Sequence, residues 1–370
     1  MSSSLPRALA AAALAVLAGA SPAIASAKPS PPALALPAPT GAFPVGAATL
    51  HLVDQSRADP WTPAERRQLM VSLWYPAKPS AKPRARYMTP EESAALLAAE
   101  GVEGMPPDAL SHVRTNARAG AAPARTRLPV VLLSPGFGAP RSSLTALGEE
   151  LASRGYLAAA VDHTYEAAGV TLPDGRTAPC KACEITDSPG LVPAIRSADM
   201  SFVIDKLGSW GAPGQVDTTR IAMVGHSIGG NSAAKAMVDD PRIDAGANMD
   251  GSFIEPLPAA GLARPFLLFG TATSFKPGSS AEEPSWGANW PRLTGWKRWL
   301  TVTGSDHDSF TDYPLLNEQA GLPAGQLPGA RAVKITRTYV RAFVDRHLLG
   351  RPTTLLDGPR AAFPEVRRWP

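Results

Sequence analysis

The hydrophobic period of the chain changes several times along its length. Residues 47–53 and 68–75 alternate apolar and polar side chains, as half-buried strands do, and residues 54–67 form a polar connection between them. Residues 128–134 are apolar almost without interruption, the pattern of a strand covered on both faces. Similar runs recur at 156–162, 220–224, 243–249, 265–270 and 299–303. Helical segments fall between them at 142–154, 195–207 and 231–238, and 332–349 follows as an amphipathic helix. Residues 90–100 predict a further helix, with Thr89 as N-cap, Pro90 at the first position, Glu91 and Glu92 in the first turn and Gly101 as terminator. This helix is expected to cover the site. Repeated strand, helix, strand steps are parallel crossover units. The expected fold is therefore α/β, a mostly parallel central sheet with helices on both faces, opened by an antiparallel N-terminal strand pair.

Composition adds limits. Arg7, an apolar run over 8–20 and Ala25-Ser26-Ala27 match a secretory signal peptide spanning 1–27, too short in its apolar part to cross a bilayer. No paired Arg precedes the run, and no Cys follows it for a lipid anchor. Export as a secreted protein is expected, with a Pro- and Ala-rich arm over 28–44 and one catalytic domain over 45–370. The net charge of +4 is scattered along the chain, which gives no support for nucleic acid binding and allows at most a peripheral membrane or lipid-surface contact. The two cysteines, Cys180 and Cys183, are expected to form a local disulfide, because zinc spacing needs more cysteines than the chain has. No metal or cofactor is expected, and the chain is read as a monomer acting on a small-molecule or lipid ester.

Chemistry concentrates in Gly225-His226-Ser227-Ile228-Gly229-Gly230, between a strand and a helix. Small residues on both sides of a Ser allow the sharp turn that lifts its hydroxyl from the sheet edge, the nucleophile elbow of α/β-hydrolases. A serine becomes nucleophilic only beside a base that a carboxylate orients. His307, just after the 299–303 strand, is the candidate base. Asp250, after the 243–249 strand, is the candidate acid, because the 265–270 strand is followed by Thr271-Ala272-Thr273-Ser274, with no carboxylate. Asp306 and Asp308 adjoin His307 in sequence and point away from its ring. The oxyanion donors are expected to be the backbone N–H groups of Ile228 and of Phe137, whose neighbours Gly136 and Gly138 permit close approach of substrate. His163 and His226 are placed beside the substrate, His226 also supporting the turn. His347 is read as a surface residue, and His51 and His112 receive no role.

Five segments together resemble the platelet-activating-factor acetylhydrolase family, plasma and intracellular type II: residues 134–141 (SPGFGAPR), 196–207 (RSADMSFVIDKL), 225–230, 247–250 (ANMD) and 304–310 (GSDHDSF). The resemblance implies an α/β-hydrolase fold, a triad on Ser227, Asp250 and His307, and metal-independent hydrolysis of acyl esters, often the short or oxidised acyl group of a phospholipid. The chain departs from the animal members at Pro135, where they carry His, and in the segment around Cys180 and Cys183. A general carboxylesterase, a lipase or a cutinase-like polyester hydrolase would use the same chemistry, and a non-catalytic binding protein would keep only the fold. Two features stay open. The tryptophans at 286, 290, 296 and 299 are read as core rather than as a lipid-contact surface, and the insertion over 164–193 either sets acyl length or is a passive loop.

Overall fold

The computed structural model describes residues 33–185, 188–279 and 283–370. The predicted signal peptide and the first residues of the arm lie outside them. Among the described residues the strands are β1 Val45–Ala58, β2 Arg66–Pro76, β3 Arg118–Ala119, β4 Leu128–Ser134, β5 Leu157–His163, β6 Gly169–Thr171, β7 Thr177–Pro179, β8 Val216–His226, β9 Ala245–Met249, β10 Phe266–Thr271, β11 Lys297–Val302 and β12 Val366–Trp369. The helices are α1 Pro90–Ala99, α2 Thr145–Ser153, α3 Ser188–Leu207, α4 Ile228–Asp239, α5 Glu283–Asn289, α6 Tyr313–Ala320 and α7 Gly329–Leu349.

The main sheet runs β12-β11-β10-β9-β8-β4-β5-β2-β1-β3, and β6 pairs with β7 as a separate hairpin. From β5 to β11 every neighbouring pair is parallel. At one edge β2 is antiparallel to both β5 and β1, and at the other β12 is antiparallel to β11. The continuous apolar runs follow from this burial. Val131, Leu133, Ala222, Val224 and Leu267 belong to one core with α2 and α7 residues, while the alternate Val130, Leu132, Ile221, Met223 and Leu268 belong to another with α3 and α4 residues. From β4 the chain steps to β5 on one side, and β8 returns on β4's other side before the later strands move away. Ser134 lies opposite Gly225 at this switch point, where open parallel sheets form their crevices.

The fold is that of the α/β-hydrolases, and its details amend several expectations. The 54–67 connection is shorter, because β1 continues past a register shift to Ala58. The terminal strand β12, the short β3 and helices α5 and α6 had no clear pattern in the sequence. Helix α3 begins at Ser188, inside the predicted insertion. The arm covers the domain from Ala33 onward: Leu34 and Leu36 are buried, and Leu36 N–H donates to the Arg114 carbonyl at 3.0 Å. Trp286 and Trp299 are fully packed, with Trp290 against Trp299, so these rings are core. His347 is a correction: its ring packs against Trp296 and Phe343 rather than standing in solvent. Among the described residues no helix is long and apolar enough to cross a membrane.

Candidate active site

Ser227 joins β8 to α4 with φ 55° and ψ −129°, a conformation that L-residues avoid. The glycines around it are required by contact. A Cβ on Gly225 would lie 1.9 Å from the Gly229 carbonyl oxygen, and one on Gly229 would lie 2.2 Å from that of Ser134. Only bare backbone lets α4 fold back so tightly over the ends of β8 and β4. Ser227 N–H donates to the Met249 carbonyl at 2.8 Å, which ties the turn to the end of β9.

Asp250 follows directly. Its backbone has φ 58°, its N–H donates to the Phe269 carbonyl at 3.0 Å, and its side chain is buried. One carboxylate oxygen, Oδ1, accepts the Thr271 N–H at 2.6 Å. The other, Oδ2, lies 2.6 Å from Nδ1 of His307. The turn carrying this acid is fixed by Asn248, whose amide bridges the Gly251 N–H and carbonyl at 2.8 Å each, and by Trp286 Nε1, which donates to the Gly251 carbonyl at 2.7 Å. Asn248 stood in the sequence only as part of the 247–250 segment, and Trp286 only as a core ring; neither was read as a support for the acid.

His307 opens a single-turn 3-10 helix, His307–Phe310, just past β11. The neighbouring carboxylates are engaged elsewhere. Asp306 accepts the Ser309 hydroxyl at 2.7 Å, and Asp308 faces a separate cavity of about 340 Å³ with Glu100, Leu97 and Tyr313. That second cavity is where α1 contributes, so α1 does not roof the space around Ser227 as expected from the sequence. The larger cavity, about 1200 Å³, is lined by Ser227, Asp250, His307, Phe137, Ile228, Ile254 and Phe275 among others. Among the described residues neither the Phe137 nor the Ile228 N–H donates to a protein acceptor.

Four expected substrate contacts are corrected. His163 is buried away from the cavity, its Nδ1 2.9 Å from Asp199 and its Nε2 3.2 Å from the Ser134 hydroxyl; burial and the Arg196 charge push its pKa down. His226 lies under the His307 loop, with Nε2–H donating to the His307 carbonyl at 2.8 Å. Burial and the nearby His307 lower its pKa to about 3, so it stays neutral and serves as a fixed support. Gly136 is buried with its Cα against the His226 ring, where a Cβ would come within 3.2 Å of Nδ1. Gly138, with φ 78°, pairs with the insertion, donating to the Glu166 carbonyl and accepting from Ala168 N–H, both at 2.9 Å. Cys180 and Cys183 are disulfide-bonded, and among the described residues none of the insertion lines the large cavity. Among the described residues no group of three or more His, Cys, Asp or Glu side chains is arranged to hold a metal ion.

A serine on a strained elbow, an imidazole anchored by a buried carboxylate and two unused N–H groups around one cavity have the parts for acyl transfer. With this fold they define the class: a carboxylic ester hydrolase of α/β-hydrolase architecture. Known proteins agree. Residues 30–174 match the family described as platelet-activating factor acetylhydrolase, isoform II, and residues 121–271 match that described as PET hydrolase-like. A probable 1-alkyl-2-acetylglycerophosphocholine esterase of Arthroderma benhamiae is 30% identical over 93% of this chain and 95% of its own. The platelet-activating factor acetylhydrolase of Gallus gallus is 24% identical over 60% of this chain and 62% of its own. Among solved structures, a ferulic acid esterase from Streptomyces cinnamoneus superposes with a TM-score of 0.83 at 47% identity, covering 91% of this chain and all of that one. The chain belongs to the platelet-activating factor acetylhydrolase isoform II family.

Proposed function

We propose that the protein is an exported, cofactor-free serine esterase working through an acyl-enzyme. His307 Nε2 takes the Ser227 proton as the hydroxyl oxygen attacks the ester carbonyl. Asp250 holds the imidazole with its proton on Nδ1, and the Phe137 and Ile228 N–H groups receive the negative oxygen. Collapse expels the alcohol, protonated by His307; water, deprotonated by the same imidazole, then releases the acid and restores Ser227. The observation that carries this reading is the 2.6 Å contact of Asp250 with His307 at the mouth that Ser227 also lines. Export is supported by the sequence of residues 1–27.

The substrate is an acyl ester that places an apolar group against Phe137, Ile228, Ile254 and Phe275. The platelet-activating-factor acetylhydrolase relatives support a short acyl chain on a phospholipid. A second reading, an aromatic hydroxycinnamoyl ester, is favoured by the 47% identity to the ferulic acid esterase and by a cavity larger than most small-molecule clefts. Initial rates on p-nitrophenyl esters of rising chain length, a short-acyl phospholipid, methyl ferulate and a polyester film separate these readings. Turnover of at least one soluble ester is expected, abolished by Ser227→Ala. Activity that survives Ser227→Ala would sink the mechanism.

A further inference from the structure

We propose that Arg196 is a positioning residue that aims the Phe137 N–H into the cavity, an inference that rests on the serine-esterase reading above. Arg196 is 1% exposed and does not line the cavity. Its Nη1 donates to the Pro135 carbonyl and, at 3.1 Å, to the Ser134 hydroxyl, and its Nη2 lies 3.5 Å from the Gly136 carbonyl oxygen. One guanidinium therefore faces two successive carbonyls of the loop that follows β4. In a trans peptide the C=O and the next N–H point in opposite directions. With the Gly136 carbonyl turned toward Arg196, the Phe137 N–H of the same peptide unit is turned away from it, and Phe137 lies on the cavity wall.

The alternative orientation is the damaging one. If that peptide unit rotated, a carbonyl oxygen would replace an N–H beside the developing oxyanion, turning attraction into repulsion. The Arg196 fork opposes the rotation because it donates to the carbonyls of buried Pro135 and Gly136, the second of which also accepts the Ala139 N–H at 3.3 Å. The fork is itself held in place. Its Nε donates to Glu166 Oε2 at 2.7 Å, and the other oxygen of Glu166 accepts the Trp61 Nε1–H at 3.1 Å. The same insertion fixes the far end of the loop through the paired backbone bonds between Gly138 and Glu166 and Ala168. The insertion thus acts on the oxyanion loop from behind, through Glu166 on Arg196, with none of its described residues on the cavity wall.

The test uses Arg196→Lys, which keeps the charge and loses the planar fork, and Glu166→Gln, which keeps Arg196 and weakens its anchor. For each folded variant, kcat and KM are measured on a p-nitrophenyl ester, together with the ratio of kcat/KM for that ester to that for its thionoester, whose C=S is a poor acceptor of N–H. Removal of an oxyanion donor elsewhere costs about 10²- to 10³-fold, so a misaimed one should lower kcat about 10- to 100-fold in Arg196→Lys. KM should change by less than about threefold, and the oxygen-to-sulfur ratio should fall with kcat, since only the oxygen ester uses the donor fully. Glu166→Gln should shift both in the same direction by less, and it carries the test if Arg196→Lys does not fold. A folded variant that loses rate equally on both esters, or loses none, overturns the assignment. A wild-type enzyme with no oxygen preference would instead overturn the oxyanion reading on which this inference rests.

Discussion

Replacing Asp250 by Asn should remove nearly all activity while leaving the fold intact. The backbone at this position has φ 58°, a region that Asn enters nearly as readily as Asp, so the turn should survive. The Thr271 N–H at 2.6 Å needs an acceptor, which places the new amide oxygen where Oδ1 now stands. The amide NH₂ is then left 2.6 Å from His307 Nδ1, where two donors cannot coexist. The ring must move its proton to Nε2, the nitrogen that has to accept from Ser227. In serine hydrolases with this arrangement the wrong tautomer costs about 10⁴-fold in kcat, or roughly 5.4 kcal/mol of transition-state stabilisation. Asp306→Asn and Asp308→Asn leave the His307 contact untouched and should change kcat by less than about threefold. Initial rates on p-nitrophenyl butyrate, with circular dichroism to verify folding, make the comparison. A folded Asp250→Asn enzyme that retains more than about a tenth of wild-type kcat would refute the reasoning, and so would a large loss in either neighbouring variant.

Three further outcomes follow from the geometry. Ser227→Gly should abolish turnover yet raise the unfolding free energy by about 1 kcal/mol in a urea titration, because glycine removes the strain at φ 55°. Burial, helped by the charges of Arg346 and Arg298, lowers the His347 pKa from 6.5 to about 4, so the unfolded chain gains a proton that the native state refuses. That contribution is complete above 6.5 and declines as the pH falls toward 4: the protein should be less stable at about pH 5 than at about pH 7, and His347→Phe should narrow the gap. The paired change Cys180→Ser and Cys183→Ser opens a very short loop, so it should cost less than about 2 kcal/mol and leave measurable esterase activity.

The central strands were legible because burial on both faces demands uninterrupted apolar residues, as in Leu128–Ser134. The edges were not. The edge strand β12 is Val-Arg-Arg-Trp, which satisfies half its backbone on β11 and needs no apolar run. Ser227 announced itself because its turn forces glycines at fixed spacing. His163 misled for a related reason: it stands at the carboxyl end of a parallel strand, as site residues do, but α3 brings Asp199 against it from 36 positions away. Arg196 lay in a segment read as a helix and matched by resemblance but given no role, since no local period can reveal that its target is the carbonyl side of a loop 61 residues earlier.

The most direct measurement is the covalent one. The protein is mixed with a p-nitrophenyl ester, quenched in acid during turnover and mapped by peptide mass spectrometry, with a fluorophosphonate as a stable analogue of the acyl group. An adduct on Ser227 with both reagents, absent in Ser227→Ala and greatly slowed in His307→Ala, is the predicted result. Turnover of the ester with Ser227 unmodified by both reagents would contradict the account.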